Sequence, residues 1–170
     1  MRVMSADEDI RTRFNRLVGD LDYPMFIVTT RSEAGERAGC LVGFLTQCSI
    51  DPPRVLVCIS KANRTYRTAS AAQALAVHFV PSTATALAEL FGGKTGDEVD
   101  KFASCEWRDG PAGVPIVCEC RNWFVGSVLE RLPLGDHVGF VLDPVEVQLE
   151  VPQAEFTFHR ARRIEPGHEA

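Results

Sequence analysis

The sequence predicts a mainly β fold with short helices, arranged as an antiparallel barrel. Three observations lead there. From Pro24 onward the chain runs in short segments rich in Val, Ile, Phe and Thr, divided by polar punctuation such as Arg31-Ser32-Glu33-Ala34-Gly35-Glu36, the pattern of strands joined by turns. No Gly-x-Gly-x-x-Gly fingerprint follows a strand, so a Rossmann domain is not available. A chain of 170 residues with 45% apolar content is enough for one substantial core and too short for two.

The elements follow in order. Ser5 to Glu8 has the spacing of a capping box, and Ile10, Phe14, Leu17 and Val18 then recur at helical intervals up to Gly19, which predicts an amphipathic helix over 6–18 lidding one end of a sheet. Strands are expected near 24–30, 38–48, 54–60, 75–80, 105–109, 115–132 and 136–149, with 115–132 read as two strands or one long bent one. Residues 65–73 and 83–91 are Ala-rich at helical spacing. Pro81-Ser82 offers a start for the second of these helices and Gly92-Gly93 a stop. The organisation is thus a helix in 1–20, a barrel domain in 21–150 and a tail in 151–170. From Arg160 the tail is polar enough to fray or to wrap a partner subunit.

Composition excludes several functions. Eighteen Lys and Arg stand against 23 Asp and Glu, with no basic block, so neither nucleic acid nor a membrane surface is an expected partner. The first residues lack an apolar h-region and no run of 18 apolar residues occurs, which predicts a cytoplasmic protein. Most of the six cysteines lie inside apolar runs and read as small buried hydrophobes. Cys118-Glu119-Cys120 would set both thiols on one face of a strand, but no second ligand pair at matching spacing accompanies it, and no metal site is expected.

Two segments put polar groups where a strand would normally carry apolar ones. In the first, residues 39–53, a strand ends in Thr46, Gln47 and Ser49 and then breaks at Asp51-Pro52-Pro53, because proline cannot donate to a ladder. In the second, Ser60, Lys61, Asn63 and Thr65 follow an apolar strand at the start of a helix, where free N–H groups, hydroxyls and a cation suit a phosphate. Taken singly, Thr46, Gln47 and Ser49 more often satisfy backbone groups at a strand edge, and Asn63 or Thr65 could simply cap a helix.

Their order together resembles the flavin reductase-like family with an FMN-binding split barrel. The resemblance rests on Gly39, Thr46 to Ser49, the Ser49-Ile50-Asp51-Pro52-Pro53 turn, the strand Arg54 to Ile59 and the loop Ser60 to Thr65. It continues through Leu90-Phe91-Gly92-Gly93, Asp100-Lys101-Phe102 and Gly135-Asp136-His137, and so covers roughly residues 20–150. It implies that Thr46, Gln47 and Ser49 approach the ring or ribityl chain of the flavin, that Ser60, Lys61, Asn63 and Thr65 hold its phosphate, and that Phe91 and Phe102 border it. Each phenylalanine alone would more often be core. His137 would lie near the face that the nicotinamide approaches, a hydrogen-bonded barrel histidine being the equal alternative. Where many relatives carry Asn-Ser, this chain has Gly43-Phe44, so hydrogen bonds to the ring are missing or come from backbone.

The resemblance further implies an NAD(P)H:flavin oxidoreductase with FMN, or FAD, as the flavin and NAD(P)H as donor. Reduced flavin would go to a second flavin or to a partner monooxygenase. No catalytic acid or base is needed for hydride transfer, consistent with the lack of a Ser-His-Asp or paired-carboxylate pattern. A non-catalytic FMN-binding electron carrier or flavin-storage protein is the alternative, and an oxidase similar to pyridoxamine-phosphate oxidases a third. The family and the apolar run Trp123-Phe124-Val125 both suggest a homodimer with flavin at the subunit boundary.

Overall fold

The computed structural model describes residues 9–150 and 152–167. Helix α1 (Ile10–Gly19) precedes strands β1 (Phe26–Arg31), β2 (Arg37–Val42), β3 (Leu45–Ser49) and β4 (Arg54–Ser60). Helix α2 (Arg64–Ala69), strand β5 (Ala74–Phe79) and helix α3 (Thr85–Gly93) come next. The hairpin of β6 (Trp107–Asp109) and β7 (Pro115–Val117), the long strands β8 (Trp123–Pro133) and β9 (His137–Gln148), and the short α4 (Phe158–Ala161) complete the chain.

Seven strands form one antiparallel sheet in the order β2-β1-β5-β8-β9-β4-β3. Strands β2 and β3 stand at opposite ends of this ladder, yet only Gly43 and Phe44 connect them. The sheet therefore curls until its two edges meet without pairing, which makes a barrel split between β2 and β3.

Alternation along the strands fills the interior with Phe26, Val28, Val42, Val57, Ile59, Phe140 and Leu142. The outer face of β1 is also buried: Ile27 and Met25 pack with Leu87, Phe91, Phe102 and Phe156 from α3 and the segments around it. A third cluster sets Ile116 of the β6–β7 hairpin on Ala76 and Trp123. Two buried polar side chains bind these layers. His78 of β5 has Nδ1 2.9 Å from the Ile27 carbonyl, and its Nε2 accepts from the Val117 N–H at 3.0 Å. Lys101 donates to the carbonyls of Gly39 and Phe91, both at 3.0 Å, joining β2 to the end of α3.

Strands fall in each of the stretches expected from sequence, but the bounds differ at several joints. The predicted strand 38–48 breaks at Gly43-Phe44, where the barrel splits, and 115–132 divides into β7 and β8. The predicted helix 65–73 ends at Ala69. Strand β7 stops at Val117, leaving Cys118 exposed and Cys120 buried, so these thiols do not share a strand face. The capping residues Ser5 and Glu8 lie outside the described residues. The segment before Arg160 is tied to the barrel: Phe156 is buried, donates from its N–H to Val80 and accepts from Met25, and Phe158 donates to the Tyr23 carbonyl, each at 2.8 Å. This stretch is a strap laid against the barrel.

Candidate functional site

A cleft of about 420 Å³ opens where the barrel splits. Its floor is the Gly43-Phe44 joint and Cys58 of β4. One end is set by Ser60 and Asn63, one side by His137, and the opposite wall by Phe158, Ala161, Arg162 and Ile164 of the strap. A second hollow of about 610 Å³ shares Tyr23, Gly43, Phe44, Cys58 and Phe158 with it and runs on to Thr46, Leu56 and the C-terminal end of α1. The two form one groove, polar at the Ser60 end and apolar along its length.

Glycine at 43 is a packing requirement. A Cβ there would stand 2.7 Å from a ring carbon of Tyr23 and 3.1 Å from the sulfur of Met25. Tyr23 is itself stacked on Phe158, with centroids 4.7 Å apart and planes 7° apart, so an aromatic layer from the lead-in to β1 and from the strap covers the joint. Phe44 points outward, with its ring 5.2 Å from that of His137.

His137 is placed by a turn. Gly135 takes φ 106°, a conformation that glycine adopts without strain, and Leu134 N–H donates to the His137 carbonyl at 3.0 Å to close the β8–β9 hairpin. His137 then pairs with Ser60 across the ladder. Its Nδ1 is 2.7 Å from the Asp136 carboxylate, which orients the ring. Hydrogen bonding and charge from His137 hold the Asp136 carboxyl below its usual range. At the polar end, Asn63 Oδ1 accepts from the Thr65 N–H at 3.0 Å and caps α2. The Lys61 N–H donates to the Asp136 carbonyl at 2.9 Å, tying the loop to the hairpin.

Of the residues expected from sequence, Ser60, Asn63 and His137 meet in the cleft and Thr46 lines its extension. Gln47 and Ser49 lie farther along β3, outside the lining, and the Gln47 amide donates to the Ser49 carbonyl at 3.0 Å. Lys61 is exposed on the loop. Thr65 is buried and faces a separate hollow of about 410 Å³ beside Lys101 and Phe102. Phe91 is buried edge-on against Phe102 at 5.8 Å, pressed under Gly39. Neither phenylalanine reaches the cleft.

Of the lining residues that sequence reasoning missed, Tyr23 falls just before the first expected strand, and Phe158 and Arg162 fall in the tail. The signal for Phe158 was the alternation Phe156-Thr157-Phe158, a strand-like period just before the polar run. Burial pushes the Cys40 and Cys58 thiols above their ordinary range. The groove can thus take a flat, largely apolar ring with an anionic group at its Ser60 end. Among the described residues that line it are one oriented imidazole and no carboxylate.

A family model described as "Flavin reductase like domain" matches residues 18–166. The chain is 31% identical over 138 residues to the stachydrine N-demethylase reductase subunit Stc3 of Rhizobium meliloti, covering 81% of this chain and 59% of that protein. It is 31% identical over 135 residues to the FMN reductase (NADH) RutF of Enterobacter cloacae, covering 79% and 81%. The chain spans 35% to 61% of the length of three of its curated relatives. Among solved structures, the NADH:FAD oxidoreductase SgcE6 of Streptomyces globisporus superposes with a TM-score of 0.83 at 21% identity, over 95% of this chain and 96% of that one, a likeness of fold.

Proposed function

The chain belongs to the flavin reductase-like family, and from that premise we propose that it is an NAD(P)H:flavin oxidoreductase that reduces FMN, or FAD, in the split-barrel groove. The observation that carries this is the groove itself: an apolar slot floored by Gly43-Phe44, a polar end at Ser60 and Asn63, and an oriented His137 on its side. Those residues fit a flavin. The slot suits a tricyclic ring, and Tyr23 lies so close to Gly43 that no side chain can rise from the floor there.

When bound, the flavin supplies hydride acceptance from NAD(P)H, chemistry that no side chain here provides. The chain's own residues position. Ser60 and Asn63, with Lys61 exposed on the same turn, hold the phosphate. Phe44 and Tyr23 offer aromatic faces where many relatives have Asn-Ser, so polar contacts to the ring edge fall to backbone groups. Thr46 borders the far end, and Thr65 supports the phosphate loop from beneath through its bond to Asn63. Gln47, Ser49, Phe91 and Phe102 act on this reading through β3 and the core, not by touching the flavin. His137, steered by Asp136, orients the nicotinamide.

The reading includes a cytoplasmic homodimer and delivery of reduced flavin to a partner monooxygenase. No helix among the described residues is long and apolar enough to cross a membrane. Support for a dimer comes from Val145, Val147 and Leu149, each more than half exposed on or just after β9.

Anaerobic mixing of FMN-loaded protein with NADH and, separately, NADPH tests the assignment. Rapid bleaching of the flavin's visible band is the expected result. A flavin that binds but stays oxidised with both donors overturns it in favour of a carrier.

A further inference from the structure

We infer that the C-terminal strap is a subsite for the donor nucleotide, in which Arg162 holds the pyrophosphate of the pyridine dinucleotide. This rests on the reductase reading and adds the place where the donor's charged half binds.

Charge along the groove carries the argument. Among the described residues lining the cleft and its extension, Arg162 is the one Lys or Arg, and no Asp or Glu is present. A dinucleotide brings two phosphate charges into this space, and the chain has no glycine-rich Rossmann turn to receive them. A guanidinium is the side chain best shaped for that group, presenting donors in a planar fork.

Ser60 and Asn63 line the same cleft but carry no charge, and on the reductase reading they are taken up by the flavin phosphate. Arg162 stands where the strap passes α1: its Nη1 donates to the Gly19 carbonyl at a long 3.4 Å, and Gly19 lines the far hollow. That weak contact leaves most of its donors available. No carboxylate among the described residues lies within ion-pair distance of it.

The backbone of Arg162 is fixed, while its tip is held by that one long bond alone. Its N–H donates to the Phe158 carbonyl at 2.9 Å within the last turn of α4. Ala161 before it and Ile164 after it pack on the outer core, and Ile164 sits 3.0 Å from where a Cβ on Gly93 would be. A tip that extends from an anchored backbone over an apolar slot is suited to grasp a passing polyanion.

The test uses the full chain with Arg162→Ala and Arg162→Lys. Fluorescence titration with FMN and NADH oxidation by the wild type come first; failure there refutes the reductase reading, whatever Arg162 does. With wild type active, Arg162→Ala is expected to raise KM for NADH and weaken ADP-ribose binding by about tenfold or more, the loss of a charge-assisted hydrogen bond. The loss should fall on donor KM and ADP-ribose binding and exceed any change in kcat or FMN affinity, and Arg162→Lys should recover part of it. Reduced nicotinamide mononucleotide, which lacks the pyrophosphate, should be used equally by variant and wild type. Weaker FMN binding with unchanged donor KM overturns the proposal and gives Arg162 to the flavin. A loss confined to NADPH overturns it in favour of the 2′-phosphate, and no change in either ligand overturns it outright.

Discussion

His78 carries two jobs that need a neutral ring, since one nitrogen meets the Ile27 carbonyl while the other accepts from the Val117 N–H. Burial lowers its pKa from the usual 6.5 to about 4. In the folded state the ring resists protonation that the unfolded chain accepts, so the stability it contributes is complete above about pH 6.5. It is lost as pH falls towards 4. The expected loss is about 3 kcal/mol across that window, read as a falling urea midpoint; His78→Asn should flatten the part of the profile due to this residue. At Gly43 the constraint is steric. Gly43→Ala sets a methyl against Tyr23, which cannot retreat without unstacking from Phe158. We expect a cost of about 1–3 kcal/mol in chemical denaturation, with weaker FMN binding by fluorescence titration. Residue identity at 43 was plain in the sequence as a departure from the family pattern. Its cause was not, because Tyr23 reaches it only through the fold.

At the scale of elements, the strap and Lys101 hold the outer layer on the barrel. Phe156 is buried between the lead-in to β1 and the end of β5 and hydrogen-bonds to both. Phe156→Ala should cost about 3–5 kcal/mol, seen in the denaturant midpoint, and should loosen the Phe158 wall enough to weaken flavin binding as well. Lys101→Met leaves the Gly39 and Phe91 carbonyls without their shared donor. A loss of about 2–4 kcal/mol is expected, with Phe91 and Phe102 losing their packing before the β8–β9 core does. Hydrogen exchange would resolve that order, and simultaneous loss in both regions would contradict it. Period-two alternation made the strands legible, because one face of each is buried. The breaks were less so. Strand 38–48 keeps its alternating composition through Gly43-Phe44, and only closure of the barrel forces the interruption. Phe91 and Phe102 read as bordering the flavin through their motif positions, but α3 turns Phe91, and the short turn over 101–103 turns Phe102, into the outer core, while aromatics from the two ends of the chain frame the cleft.

For the whole molecule, ladder order and curvature decide where a ligand can lie: at the split between β2 and β3 the barrel wall is made of two edges that do not pair with each other, joined by two residues. Neither property is local, so the sequence pointed to the phosphate loop and the His137 turn without giving the groove between them. The same topology leaves a second opening. Strand β9 pairs with β4 only from His137 to Leu142, and beyond that its β4-side edge is unpaired in the sheet. There Val147 stands opposite the core residue Phe124, so its apolar side chain continues the inner face of the barrel past the barrel's end. Val145 and Leu149 extend the stripe. An edge of this kind, apolar and long, must be covered or it aggregates, and a second copy covers it symmetrically. Light scattering should therefore give the mass of two chains for wild type. Val147→Glu puts a charge into the stripe without entering the folded core, and should yield a well-folded monomer with an unchanged circular dichroism spectrum. If flavin binds at the subunit boundary, that monomer also loses FMN affinity; if it retains full affinity, the groove of one chain is sufficient and the dimer serves solubility alone. A wild type that runs as a monomer at the same concentration would remove the stripe's assigned role and leave β9 as a surface for a different partner.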